Sequence, residues 1–509
     1  MTQAVMIRRN GTAIDISADG GRTPLPPAIL AAVCDELSYT HVQHLRGHEQ
    51  WGADGVRRQV ETTLKQLYQI DPMGAIITGF GLLTRVVRTL QQFNVQLQYV
   101  DMSPARPRPE CYVPDWDNLR KNVTFRPKQE ECLSLIAQNH CGIIDATMGF
   151  GKGELFLMLA LLYPHAKFHI VAPGQDIAKS LVRRLSRVFS NVGLIGAGHN
   201  YFGTRITVFV AKSMRKSDGD ADFLLCDEVH LMAAQTYAYD LGITWRISRN
   251  FGFTGTLDMR LDKADKELEL LFGPALFKLG YKEAEALGLV TPISVRWLQV
   301  DMKPNPCEGM IDTRMMKYGI WTNDVRNRII ADDVKKHYGG PDTQVLILCH
   351  SIRHAIHLWQ HLPDFELCYG TMSNDELVDY KREGLLPQTF MQMSAKRREE
   401  LREGFAAGTV KKVSATDVWA TGVDFVNLRV LYRVDARASE IIDNQGPGRL
   451  SRIAADKSGA VLVDCWDLFD TRFTRKSMTR RSHYKKLGWR MTNVVDRRWA
   501  ADENQSDRA

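Results

Sequence analysis

Between Phe125 and about Val300, short apolar runs alternate with helical stretches. Gly142-Ile-Ile-Asp145 reads as a short buried strand. A glycine loop follows it, and then the apolar run Glu154–Leu162, which reads as a helix. Phe168–Ala172 is a second strand with a helix after it through Val182, and Ile206–Val210 and Phe223–Cys226 continue the series. Short apolar strands alternating with helices predict a parallel sheet covered on both faces. A second series runs through Gln344–Cys349, Lys412–Ala415, Val430–Arg433 and Ala460–Val463. The expected fold class is therefore α/β. Two parallel-sheet domains stand in tandem, with a small separate α+β domain over residues 1–102 and a basic helical tail at the C-terminus.

Composition shifts suggest where these parts meet. The proline-rich stretch Ser103–Glu110 reads as an extended linker, taken as residues 103–118. The loop Val300–Gly309, with two prolines and a glycine, reads as the junction between the α/β domains, 119–300 and 301–470. Near Asp470 a basic segment, 471–509, begins. From Arg472 to Arg498 it carries Arg475, Lys476, Arg480, Arg481, Lys485, Lys486, Arg490 and Arg497, with Asp496 as its only acid. The net charge of +7 is mild; its concentration at this end is the stronger hint of a polyanionic partner. The nine cysteines form no C-x-x-C pair, which argues against a zinc site or a disulfide framework and fits a reducing cytosol. With no apolar signal core and no apolar run of about eighteen residues, a cytoplasmic protein is expected.

Ala146-Thr147-Met148-Gly149-Phe150-Gly151-Lys152-Gly153, followed by Glu154, lies between an expected strand and helix. That is the setting of a phosphate-binding loop. Gly149 and Gly151 let successive N–H groups turn toward phosphate oxygens, and the helix N-terminus adds its positive dipole end. Lys152 would reach the β- and γ-phosphates. The position after the lysine normally carries the Ser or Thr hydroxyl that binds Mg²⁺; here it is Gly153. Leu224-Leu-Cys-Asp227-Glu228-Val-His230 offers Asp227 to hold Mg²⁺ through water, Glu228 to polarise the attacking water, and His230 to couple the site to the neighbouring domain. The loop and this acidic motif are expected to meet on neighbouring strands of one sheet. Phe253-Thr254-Gly-Thr256 reads as a short turn that resembles the serine/threonine-rich motif sensing nucleotide state, and in Phe125-Arg-Pro-Lys-Gln129 the Gln129 amide suits a base edge.

In the second series, Asn444-Gln445-Gly-Pro-Gly-Arg449-Leu-Ser-Arg452 fits Gln-x-x-Gly-Arg-x-x-Arg. Arginines three apart on a helix share a face, and both would point at a triphosphate held by the first domain. Upstream, Ser414–Asp424 offers Thr416 and Thr421 for backbone phosphates and Asp424 for the nucleotide; Trp419 reads as core.

Taken in order, the segments at 125–129, 146–153, 227–230, 254–256, 414–424 and 445–452 resemble the superfamily 2 helicase core. Leu271-Phe-Gly-Pro274 and Glu283–Pro292 resemble its restriction-subunit and XPB-like branch. Val463–Asp470 and Tyr484–Trp489 are similar to UvsW-like DNA helicases of tailed phages. The resemblance implies RecA-like motor domains, ATP and Mg²⁺ as cofactors, and a nucleic-acid partner, DNA by analogy, either single-stranded or branched. It implies a monomer in the cytoplasm, the host's if phage-encoded, acting in recombination, repair or replication. Two other functions remain open: a nucleotide-gated clamp with little turnover, which Gly153 motivates, and a restriction-type translocase subunit.

Overall fold

The computed structural model describes residues 4–11, 13–18, 23–52, 55–102, 109–217, 219, 221–233, 249–255, 265–419, 425–438, 443, 447–454 and 457–492. The chain divides into two compact units, Met1–Leu279 and Gly280–Ala509.

The first unit contains two sheets of different kind and a separate ribbon. Its N-terminal sheet has five strands in the order Tyr68–Ile70, Ile76–Gly79, Ala13–Ala18, Ala4–Asn10, Gln96–Asp101. Only the last pair is parallel. The helices Pro27–Glu36 and Leu83–Gln91 cover it, burying Ile29, Val33, Val86 and Leu90 against Val5, Ile7, Ile14 and Ile16. The strand alternation is that of a sheet with one covered face. The long pair Ser38–Gly52 and Gly55–Gln66 forms the two-stranded antiparallel ribbon.

The second sheet of this unit has eight strands. From one edge they are His199–Tyr201, Val192–Gly196, Ile206–Val210, Phe168–Ala172, Phe223–Cys226, Arg249–Thr254, Cys141–Ala146 and Ala275–Leu279. All pairs but the first are parallel. The helix Lys152–Leu162 begins two residues before the expected start and is buried along most of its length, as its apolar composition requires. The chain beyond 108, expected to be linker, packs onto this sheet's domain. Cys111 is buried and its thiol donates to His165 O, Tyr112 Oη donates to Asp222 at 2.7 Å, and Trp116–Asn122 is a helix.

The helix Asp265–Phe272 joins the two parts. Leu268 and Phe272 enter the core of the eight-stranded sheet, while Leu270 packs against the N-terminal core. Tyr39 Oη donates to Glu267 at 2.5 Å, Arg85 bridges Glu36 at 2.8 Å and Glu269 at 2.7 Å, and Lys266 Nζ donates to the carbonyls of Glu36 and Ser38.

The second unit has a seven-stranded, wholly parallel sheet. Its order is Glu366–Cys368, Lys412–Ala415, Val345–Leu348, Val430–Arg433, Ala460–Asp467, Ile293–Val300, Arg490–Thr492. Two expectations are corrected here. Ile293–Val300 pairs with Ala460–Asp467 along its whole length, so the boundary expected at 300 falls earlier, and the proline loop that follows lies inside the second unit. The basic segment, set apart from the second domain at 471, packs into that domain over its first part. Thr471–Leu487 is a helix capped by the Asp470 side chain, and it buries Phe473, Ser477, Arg480 and Tyr484. Arg480 Nε lies 3.0 Å from Asp464, and neither group reaches water.

A buried charge stripped of its partner has no solvent to take the partner's place, which costs about 3–5 kcal/mol. Arg480→Met should therefore destabilise the second unit by about that amount. Urea denaturation followed by fluorescence checks this, and an unchanged midpoint would contradict it.

Candidate nucleotide site

The carboxyl ends of three adjacent strands carry the candidate residues. Cys141–Ala146 leads into the phosphate loop, Arg249–Thr254 into the Thr-Gly turn, and Phe223–Cys226 into Asp227 and Glu228. The expectation that loop and acidic motif meet on neighbouring strands is corrected: Arg249–Thr254 hydrogen-bonds between them. Its intervening position brings the Thr254–Gly255 turn directly onto the loop.

Gly149 and Gly151 have φ of 96° and 92°, a region in which a Cβ clashes, so the loop's curvature needs glycine at both. The helix Lys152–Leu162 starts at once. Lys152 Nζ donates to Ala146 O at 2.9 Å, folded back on the strand end. Thr147 N donates to Leu279 O at 3.0 Å. Phe150 is buried and stacks on Phe277 at 5.3 Å, so only its backbone is available to a ligand. Gln129 is buried too. Its amide donates to Phe150 O at 2.9 Å and accepts from Arg126 N at 2.9 Å, and Arg126 Nη1 donates to Gly149 O. In this state the Gln129 amide braces the loop and is not turned out toward a base.

Asp227 N is held by Val171 O at 2.9 Å, and Asp227 Oδ1 accepts from Glu228 N at 3.0 Å. Burial first, and then the neighbouring Glu228 carboxylate, push the Asp227 carboxyl up from the usual carboxylate range; Lys152 and Arg184 pull it back. A carboxylate so enclosed, next to another, suits a bound cation. The donor set fits a Mg²⁺ ion shared with a nucleotide's phosphates. Glu228 has φ of 46°, a costly backbone for a non-glycine residue and one that clusters at functional sites. His230 is buried, with Nδ1 2.9 Å from Thr254 Oγ1 and 3.5 Å from Glu228 Oε2. One imidazole thus joins the acidic motif to the Thr-Gly turn. A Cβ on Gly255 would lie 2.8 Å from Ala146 O and 3.3 Å from Lys152 Nζ.

The second unit holds the remaining candidates. Thr416 follows the strand Lys412–Ala415 and is buried, with its N–H on Cys368 O. Trp419 is buried against Phe405 and Phe425, a core residue as expected. Pro447–Ser451 is a tight 3₁₀ turn that ends just before Arg452. Thr256, Thr421, Asp424, Gln445 and the side chain of Arg449 lie outside the described residues.

Three residues at or beside these segments escaped the sequence reading. Lys457 Nζ donates to Leu450 O at 2.7 Å and Arg452 O at 2.9 Å; Thr291 Oγ1 donates to Arg452 O at 2.8 Å and Thr291 N to Ser451 O at 2.7 Å. They close the arginine turn from behind. Arg184 lies against Gly153. Thr291 lies in the segment Glu283–Pro292 but had no role assigned to it, Arg184 and Lys457 belong to no motif, and each reaches its place from another element.

A family model described as "Type III restriction enzyme, res subunit" matches residues 122–259, and one described as "Helicase conserved C-terminal domain" matches 331–454, together about half of the chain. The chain belongs to the superfamily 2 helicases, in the restriction-subunit branch. Two RecA-like domains stand in tandem, one for each match. Among solved structures, the Type ISP restriction-modification enzyme LlaBIII bound to DNA aligns with a TM-score of 0.53 at 12% identity, over 79% of this chain and 33% of that one. This helicase therefore spans about a third of that enzyme's length. S. cerevisiae Dbp5 bound to RNA and ADP BeF3 aligns at 0.50 and 13% identity, over 76% and 94%. T4 UvsW aligns over 97% and 99% of the two chains, at 0.40 and 14% identity. A search of curated proteins finds no match.

The Gly255 contact gives a direct check. A methyl group there must displace the Ala146 carbonyl or the lysine, and overpacking of this kind costs about 1–3 kcal/mol. Gly255→Ala should weaken ATP binding by about tenfold or more while the chain stays folded. Titration with a fluorescent ATP analogue, alongside circular dichroism, measures both, and unchanged affinity would contradict the contact.

Proposed function

We propose that this helicase is an ATP-driven DNA translocase that unwinds or branch-migrates DNA, in recombination, repair or replication of the phage type. The observation that carries the motor reading is the chain Glu228–His230–Thr254 beside Lys152. A residue that polarises water is thereby linked to a turn that touches the phosphate-binding lysine, and such a link is what converts hydrolysis into movement.

In this reading Lys152 leaves Ala146 O for the β- and γ-phosphates, and the N–H groups of the loop Thr147–Glu154 cradle the same oxygens. A Mg²⁺ ion, held by Asp227 through water, would neutralise phosphate charge. Glu228 takes the proton of the attacking water. Gln129 serves the base, and Asp424 lies near the nucleotide. Arg452, with Arg449, neutralises the charge that builds up in the transition state, and Lys457 and Thr291 set the carbonyls behind it. Thr256 and Gln445 join the coupling path. Thr416 and Thr421 meet backbone phosphates, which would make binding largely independent of sequence. The N-terminal domain, residues 1–102, adds nucleic-acid affinity, and the protein works as a monomer in the cytoplasm. The restriction-subunit match favours DNA over RNA.

A second reading is a restriction-type motor that moves along duplex DNA without separating strands. The match over residues 122–259 favours it. Triplex displacement without fork unwinding would select it over the helicase.

ATP turnover should rise on adding forked or four-way DNA and less on RNA duplex. Glu228→Gln should lower kcat by about 10²- to 10⁴-fold and Arg452→Ala by about 10³-fold or more. A wild-type rate that DNA does not change and that equals the Glu228→Gln rate would leave only a nucleotide-gated clamp.

A further inference from the structure

The departure at Gly153 has a structural counterpart on another helix. Gly153 is the second residue of the helix Lys152–Leu162, where a hydroxyl residue is expected. A Cβ built there falls 2.3 Å from Arg184 Nη1 and 3.3 Å from Arg184 Cζ, closer than non-bonded atoms approach. Any side chain at 153 therefore competes with the guanidinium for one space.

Arg184 is placed by packing. It lies in the last turn of the helix Gln175–Leu185, whose Ala178, Leu181 and Leu185 are buried. Leu181 also faces Gly153, its Cδ2 3.7 Å from the added Cβ. Arg184 Nε lies 3.4 Å from Glu154 Oε1, and the Arg184 side chain is 29% exposed, so the head remains within reach of a ligand. Its charge is felt at Asp227, where it acts in the same sense as Lys152. The guanidinium thus borders the loop on the side of the missing hydroxyl, with the acidic motif inside its field.

We propose that Arg184 is a phosphate-binding residue of this site, its guanidinium filling the space that Gly153 leaves open and contacting the β- or γ-phosphate of a nucleoside triphosphate. A hydroxyl at 153 would act on phosphate only through a bound cation. A guanidinium acts on phosphate oxygens directly, by charge-assisted hydrogen bonds. Triphosphate affinity in this protein therefore depends less on a divalent cation than it would with Ser or Thr at 153. The proposal rests on reading 146–153 as the ATP loop.

The test is a titration of the full-length chain with a fluorescent ATP analogue, once with excess Mg²⁺ and once with EDTA. Arg184→Ala should lose about tenfold or more in affinity in EDTA, the worth of one hydrogen bond to a charged group, and less in Mg²⁺. Gly153→Ser should reproduce the EDTA loss, because its Cβ evicts the guanidinium. Adding Gly153→Ser to Arg184→Ala should cost nothing further in EDTA and should recover binding in Mg²⁺. Arg184→Lys keeps the charge without the fork and should fall between wild type and Arg184→Ala. Melting without nucleotide reports whether each variant folds. If the ratio of the Mg²⁺ and EDTA affinities is the same in wild type and folded Arg184→Ala and Arg184→Lys, Arg184 only pairs with Glu154 and the proposal fails. If Lys152→Ala binds the analogue as wild type does, the reading of the loop itself fails, which is a separate result.

Discussion

The strand Arg249–Thr254 hydrogen-bonds to the phosphate-loop strand on one side and to the acidic-motif strand on the other. Strand spacing in a sheet is about 4.8 Å, so this arrangement holds Ala146 and Asp227 roughly 10 Å apart at one edge. A gap of that size suits phosphates and a cation between the loop and the acid. The inserted strand also ends in the gap. Its Gly255 can lie against Ala146 O and Lys152 only because it has no side chain, and its Thr254 meets the buried His230. The same parallel geometry turns the carboxyl ends of all its strands but His199–Tyr201 to this edge, which is where ligands bind in open α/β sheets.

Charge organises the second unit. Arg433 Nη1 donates to Tyr484 Oη at 2.8 Å and lies 2.6 Å from Asp443, while its Nε lies 3.0 Å from Asp435. His483 also pairs with Asp443, the residue just before the arginine motif. Arg480, His483 and Tyr484 come from one face of the helix Thr471–Leu487, at the spacing that brings helical neighbours together. The helix lies beyond the C-terminal helicase match yet anchors the approach to the arginine turn. Among the described residues no helix is long and apolar enough to cross a membrane.

The N-terminal sheet is tied to the eight-stranded sheet by the helix Asp265–Phe272, whose polar residues bond to Tyr39, Arg85 and the Glu36 and Ser38 carbonyls. Gly79 and Gly81 press on the same helix; a Cβ at Gly81 would lie 2.0 Å from Glu269 O. Contact this close leaves little room for the N-terminal sheet to move independently of the helix.

Four strands of each α/β sheet, the alternation of strand and helix, and the glycine turn before Lys152 were legible in the sequence. Apolar runs of strand length between glycine turns have few other ways to bury themselves, and left-handed turns such as those at Gly149 and Gly151 call for glycine. The tertiary structure alone decided which strands lie side by side, and hence that the Thr254 turn separates loop from acid. It turned part of a basic run inward to Asp464, because a helix face buries Arg480 whatever its charge suggests about solvent. It also brought Arg184, Lys457 and Thr291 to their sites. Contacts between residues far apart in the chain depend on packing, and no local pattern of residue types encodes them.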